Sequence, residues 1–74
     1  MYTVNLDFAA DSPAEALEGL AALVQAVPGL SWQLLEAEGP AGWPLVAFTV
    51  PSEQAAAFEA AYGLLPGELA ALAS

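Results

Sequence analysis

The chain has 74 residues, of which 58 % are hydrophobic, and it contains no cysteine. This length fits a single domain, residues 1–74, and this hydrophobicity excludes an intrinsically disordered chain. The absence of cysteine excludes disulfides and thiolate zinc sites, so we expect a core this small to depend on a partner subunit for part of its stability.

The charge of the chain has one sign. Lys, Arg and His are all absent, against nine acidic residues, and the formal net charge is −9. No salt bridge can therefore form between side chains. Apart from pairing with the terminal amine, each carboxylate must be solvated, bonded to backbone N–H groups or paired with a cation from another molecule. Such a field repels nucleic acid and attracts basic surfaces. We therefore expect no direct nucleic-acid binding and a basic protein surface as the partner.

The sequence gives no sign of a membrane segment. No stretch reaches the roughly 18 apolar residues that a spanning helix needs. The opening residues, MYTVNLDF, lack the basic region of a signal peptide. We expect a cytoplasmic protein with no membrane contact.

The first half of the chain predicts a strand and a helix. Apolar and polar residues alternate over residues 2–8, YTVNLDF, which is typical of a half-buried strand. A helix then follows, with Ser12 as N-cap, Pro13 in its first position and Glu15 completing a capping box. Gly19 either weakens this helix or allows close packing. The predicted buried stripe of the helix consists of Leu17, Leu20, Ala21, Val24 and Val27.

The second half predicts a hairpin and a helix. Residues 30–38, LSWQLLEAE, read as a strand with apolar residues on both faces and room for a bulge, and residues 43–51 as the next strand, with the turn GPAG between them. A second helix is predicted within residues 51–63, with Ser52 as N-cap and Gly63 as the stop. The last segment, LLPGELAALAS, predicts either a short third helix beginning near its proline or a frayed tail.

The element order βαββα predicts an α+β fold. Because crossover connections are right-handed, the third strand lies between the first two. The result is a two-layer structure with a three-stranded antiparallel sheet in order 1-3-2 and both long helices on one face. This topology resembles a truncated ferredoxin-like fold, a split β-α-β arrangement without its final strand, and the resemblance implies no particular function.

The predicted topology gathers acidic residues at one end of the sheet. The first two strands run parallel, so their C-terminal ends meet at the end where the first helix begins, beside the GPAG turn. We name this predicted partner-binding set the acidic pole: Asp7, Asp11, Glu15, Glu36, Glu38 and Trp43. The other four acids are expected elsewhere, Glu53 at the opposite end and Glu18, Glu59 and Glu68 on helix surfaces.

Each residue of the acidic pole also has an ordinary interpretation. The carboxylates can be solubilising surface groups, and Asp11 and Glu15 can simply favour a helix N-terminus. Trp43 can be a lid on the core or an anchor in an interface, where tryptophan is enriched. Trp32 can cap the core or lie on the open face of the sheet.

The residue types argue against catalysis. Without His, Cys, Lys or Arg, the usual bases, nucleophiles and oxyanion-stabilising cations are missing, so we expect no enzyme. Oxygen ligands for Ca²⁺ or Mg²⁺ exist at the acidic pole, but their spacing is unspecific, and we expect no cofactor and no dedicated metal site.

Two functions remain. The first is a noncatalytic inhibitor or decoy, of the kind encoded by phages and mobile elements, that imitates the charge of nucleic acid and binds a basic surface on a nucleic-acid-handling or defence protein. The second is a structural or assembly subunit, a homodimer or a heteromer. It would associate through the edge of the first strand or through an open sheet face containing Thr3, Leu45, Ala47 and Thr49.

Overall fold

The structure, a computed structural model, describes residues 1–73 and confirms the predicted α+β architecture. The elements in chain order are β1 (Tyr2–Asp7), α1 (Pro13–Ala26), β2 (Ser31–Glu36), β3 (Leu45–Val50), a 3₁₀ turn (Ser52–Gln54), α2 (Ala55–Tyr62) and α3 (Glu68–Ala73). The strands form one antiparallel sheet in the predicted order β1-β3-β2. No helix within residues 1–73 combines the length and the apolar character of a membrane span.

The strand register determines which side chains enter the core. Val4 in β1 and Trp32 in β2 both lie opposite Phe48 in β3. Residues directly opposite one another project from the same face of a sheet, and Phe48 is fully buried in the core. Trp32 consequently packs against the core, the first of its two predicted positions.

β2 contains a bulge at Leu35, which the sequence pattern of this strand allowed. Leu34 lies opposite Val46 and Glu36 lies opposite Leu45, so the register skips one residue of β2. The extra residue reverses the alternation and moves Glu36 to the open face, away from the face of Leu34. Leu34 and Glu36, which an uninterrupted strand would place on one face, therefore lie on opposite faces of the sheet.

The buried stripe of α1 differs from the predicted one. Its buried side chains are Ala16, Leu20 and Leu23, continued by Val27 just after the helix. Leu20 and Val27 were predicted correctly. The predicted residues Leu17, Ala21 and Val24 are exposed instead.

The contact between Phe8 and Gly19 explains this rotation of α1. A Cβ atom at Gly19 would lie only 2.8 Å from the ring of Phe8, so the glycine allows close packing, the second of its two predicted roles. Ala16 and Leu23 lie on the same side of the helix as Gly19 and turn inward with it. Leu17, on the opposite side, turns outward.

The helix ends follow the predictions in part. Ser12 Oγ accepts a hydrogen bond from the N–H of Glu15 at 3.1 Å, and Glu15 in turn reaches the N–H of Asp11 at 3.4 Å. Gly63 ends α2 with φ at 98°, a left-handed conformation that favours glycine. The prediction of Ser52 as N-cap of the second helix is wrong, because a 3₁₀ turn precedes α2 and Ser52 Oγ accepts from the Met1 amine instead.

The last segment of the chain forms a short helix rather than a frayed tail. Glu68 Oε1 accepts the N–H of Leu65 at 2.9 Å at the start of α3, and Leu69 is fully buried. α3 contacts both β1 and α2. In chain order it replaces the final strand of a ferredoxin-like fold, which would also lie beside β1. β1 is thus an edge of the sheet that already contacts a helix, and β2 is the other edge.

Candidate functional site

A groove of about 350 Å³ lies between the start of α1, β2 and the hairpin turn, and we call it the α1–β2 groove. Its apolar lining includes Leu17, Trp32 and Leu34, and its acidic lining consists of Asp11 and Glu38. Leu17 is 59 % exposed and Leu34 is 48 % exposed, so both present apolar surface to solvent within the groove. An apolar concavity with a few polar groups at its edge is typical of a binding site.

Local structure places each group of the groove. The N-cap Ser12 fixes the loop that carries Asp11, and the rotation of α1 turns Leu17 toward β2. The bulge follows Leu34, so this leucine keeps the face of Trp32. Apolar groups from two elements therefore meet beneath one carboxylate from the loop and another from the hairpin turn.

The acidic pole is divided between two surfaces. Asp11 and Glu38 line the α1–β2 groove. Asp7 and Glu36 instead lie opposite Leu45 from its two sides, in one row across the open face of the sheet. Adjacent strands are about 4.8 Å apart, which separates the backbones of this pair by roughly 10 Å. Six residues predicted to form one set therefore do not form a single cluster.

Glu15 and Trp43 lie outside the lining of the groove. Glu15 is exposed on the first turn of α1, beside Asp11. Trp43 is 42 % exposed in the hairpin turn, where its carbonyl accepts the N–H of Gly39 at 2.7 Å. An exposed position agrees with either an interface anchor or a partial lid, and the role of Trp43 in binding stays a prediction.

The carboxylates of the acidic pole do not converge on a metal position. Among residues 1–73, no three acidic side chains stand close enough together to hold an ion. The bulge in β2 accounts for part of this separation, because it places Glu36 and Asp11 on different surfaces. The groups at the groove can instead pair singly with cationic side chains while apolar groups fill the space between them.

A second cleft of about 450 Å³ separates α1 from α2, and its lining includes Phe8, Gly19 and Tyr62. The hydroxyl of Tyr62 donates to the carbonyl oxygen of Asp7 at 2.5 Å. Burial, and secondarily the negative charge of Asp7, raises the pKa of Tyr62 above its usual 10.0. The hydroxyl is therefore neutral at physiological pH and joins α2 to the end of β1.

Two of the leucines that line the groove, Leu17 and Leu34, were not predicted from the sequence as part of a site. Leu17 was assigned to the core, although it lies one residue away from the stripe formed by Ala16, Leu20 and Leu23. The helical spacing alone allows either stripe, and the contact between Phe8 and α1 decides between them. The sequence did contain a signal for Leu34. Leu34 and Trp32 are two residues apart and precede the bulge, so their side chains lie on the same face of β2.

Comparisons of the chain with protein-family models, with curated proteins and with solved structures find no match.

Proposed function

We propose that the protein is a noncatalytic acidic module that binds a basic surface on another protein. One observation supports this function above others: an apolar groove has carboxylates at its rim in a chain without Lys, Arg or His. The cation that pairs with Asp11 or Glu38 must come from a different molecule. A second copy of the chain has no basic side chain to offer, so a basic partner fits the groove better than a homodimer does.

In its more specific form, the proposal is an inhibitor or decoy acting in the cytoplasm. Proteins that handle nucleic acid carry basic surfaces that meet phosphates, and a net charge of −9 on 74 residues makes such surfaces natural targets. The partner would be a nucleic-acid-handling or defence protein, and the gene would belong to a phage or a mobile element. Occupation of the basic surface would exclude nucleic acid from it.

Two double variants with equal charge test this function. Asp11→Asn/Glu38→Gln removes both carboxylates of the groove, and Glu18→Gln/Glu53→Gln removes two exposed carboxylates outside its lining. Each variant and the parent protein are used to capture basic proteins from host lysate, and the affinity of a captured partner is then measured by calorimetry at about 0.05 M and about 0.5 M salt. The partner's activity on nucleic acid is assayed in parallel.

We expect the groove variant to lose binding and inhibition, the control variant to keep most of both, and high salt to weaken the parent complex. The proposal fails if the two variants weaken binding equally, since net charge alone would then explain the effect. It also fails if binding is independent of salt.

The assembly subunit remains the second candidate. Its supporting observation is the amount of exposed apolar surface, which includes Leu35 and Leu72 as well as the leucines of the groove. On the open face, however, Asp7 and Glu36 flank Leu45, so a second copy would meet like charges there. Light scattering at high concentration tests the homodimeric form of this candidate: a mass of twice 7.5 kDa supports a homodimer, and a mass of 7.5 kDa contradicts it.

A further inference from the structure

The α1–β2 groove lies directly beside a free sheet edge. Within residues 1–73, β2 has one neighbour in the sheet, β3, and of the six residues of β2 only Trp32 is not exposed. Along such an edge, alternate residues direct their backbone N–H and C=O groups away from the neighbouring strand. Leu34 belongs to this edge and also lines the groove, so one ligand can engage both features at once.

The alternation of β2 determines what a strand added to its edge would meet. Side chains on the face of Leu34 would enter the groove toward Leu17. Side chains on the other face would lie beside Gln33 and Glu36, because the bulge has moved Glu36 to that side. An apolar surface on one face and a carboxylate on the other favour a segment in which apolar and basic residues alternate.

We infer that the partner inserts an extended, basic segment as a fourth strand along β2. Its apolar side chains fill the α1–β2 groove, one Lys or Arg pairs with Glu36 on the open face, and a Lys or Arg at the end of the segment, beyond the paired stretch, reaches Asp11 or Glu38 where the groove opens. Main-chain hydrogen bonds to Ser31–Leu34 provide affinity, and the alternating side chains provide specificity. This inference rests on the proposed function and specifies the chemistry of its partner.

The structure argues against two other occupants. A second copy adding through its own β2 would bring another Glu36 and no cation to the same edge. A helix in the groove would leave the outward N–H and C=O groups of β2 to solvent. The bulge at Leu35 interrupts the regular ladder, so the paired stretch is confined to the residues before it.

Three capped heptapeptides serve as probes: Lys-Leu-Lys-Val-Lys-Leu-Lys, the same peptide with Glu for every Lys, and the same peptide with Pro for the central Val. The proline peptide keeps the charge but cannot continue a strand. Binding to the full chain is measured at about 0.05 M salt, together with amide hydrogen exchange of residues 31–34 by NMR. The two protein variants compared are Leu34→Ser and, as a control outside the groove lining, Leu65→Ser, because Leu65 is 72 % exposed.

We expect the lysine peptide to bind and to slow exchange of the outward amides of β2. The proline peptide should bind about tenfold more weakly, since loss of one or two net hydrogen bonds corresponds to roughly that factor. The glutamate peptide should not bind, and Leu34→Ser should weaken the lysine peptide while Leu65→Ser should not.

Any one of three results would overturn strand addition: the proline peptide binds as well as the lysine peptide, the β2 amides exchange at unchanged rates in the complex, or the lysine peptide does not bind. Each of these results leaves the proposed function to be decided by the charge-matched variants and the captured partner, so a failure of strand addition is distinguishable from a failure of the proposed function.

Discussion

Glu59 is almost completely buried, at 7 % exposure, and its Oε2 accepts a hydrogen bond from the backbone N–H of Leu69 at 3.0 Å. The backbone carbonyl of Glu59 also accepts the N–H groups of Gly63 and Leu64, at 2.9 and 2.8 Å. One residue thus ends α2 through its main chain and holds α3 through its side chain. Because α3 contacts β1 through a segment that includes the fully buried Leu69, this carboxylate helps to complete the core.

The hydrogen bond between Glu59 and Leu69 predicts a difference between two substitutions. Glu59→Ala leaves a buried N–H without its acceptor, which should lower the free energy of unfolding by about 1–3 kcal/mol. Glu59→Gln keeps an acceptor oxygen and should lose clearly less. Urea denaturation measures both, with the exposed Glu53→Ala as a control near zero. Equal losses in the Ala and Gln variants would show that the acceptor oxygen does not stabilise α3.

The position of Glu59 also shows where sequence patterns stop being informative. The sequence predicts Glu59 on a helix surface, and that prediction is wrong. Its partner lies ten residues further on, in the segment for which the sequence predicted either a short helix or a frayed tail. Alternation in YTVNLDF and the capping pattern after Ser12 are local signals, and the structure confirms both elements. The burial of Glu59 depends instead on where α3 packs, which no local period encodes.

The candidate site likewise has features that local sequence patterns predict and features that depend on packing. Strand order and the direction of β1 and β2 were predictable, so the end of the sheet that carries Asp7 and Glu36 was predictable as well. The division of the acidic residues between two surfaces was not, because it depends on a one-residue bulge at Leu35. Leu17 was missed because helical spacing alone allows two buried stripes on α1, and the close packing of Phe8 against Gly19 favours the stripe that leaves Leu17 exposed.

The close packing of Phe8 against Gly19 predicts that Gly19→Ala destabilises the protein, although Gly→Ala normally stabilises a helix. In a helix, Gly→Ala normally stabilises by about 1 kcal/mol. A Cβ at Gly19 would lie 2.8 Å from Phe8 Cε2, and this ring is held by Phe48 and Tyr62, whose ring centroids are 6.4 and 6.2 Å away. Gly19→Ala should therefore destabilise the protein by about 1–3 kcal/mol through overpacking.

The same substitution should have the opposite effect once the ring is removed. In a Phe8→Ala background, Gly19→Ala should stabilise by about 1 kcal/mol, because only the helix propensity remains. The four proteins form a double-mutant cycle that can be measured by chemical denaturation. A stabilising effect of Gly19→Ala in both backgrounds would contradict the packing role of Phe8.

Tyr62 predicts how stability changes in alkali. Burial, followed by the charge of Asp7, raises the pKa of Tyr62 above 10.0, so the folded state keeps this proton to higher pH than the unfolded chain does. The folded state then binds more protons in that range, and the contribution of Tyr62 is fully present below pH 10.0 and is lost as the pH rises through the folded pKa. The free energy of unfolding should fall over this range, and less steeply in Tyr62→Phe.

An absorbance titration isolates this tyrosine. In Tyr2→Phe the only phenol left is that of Tyr62, and its midpoint should lie above 10.0. Adding Asp7→Asn should lower the midpoint only in part, since burial is the larger cause. A midpoint at or below 10.0 in Tyr2→Phe would contradict both the burial and the influence of Asp7.

Trp43 reports the electric field at the hairpin turn. The position of a Cβ on Gly39 lies 3.2 Å from the Trp43 carbonyl oxygen and 3.6 Å from Glu36 Oε2, so the tryptophan backbone and this carboxylate border the same turn. In a Trp32→Phe variant, Trp43 is the only tryptophan. Its fluorescence should be quenched more strongly by Cs⁺ than by iodide, relative to a free tryptophan amide, because the negative field concentrates cations.

Two controls test whether this difference is electrostatic. The excess of quenching by Cs⁺ over quenching by iodide should shrink at about 0.5 M salt and in Asp7→Asn/Glu36→Gln, whereas quenching by neutral acrylamide should stay constant. Equal or stronger quenching by iodide would mean that the carboxylates do not create a cation-attracting surface beside Trp43.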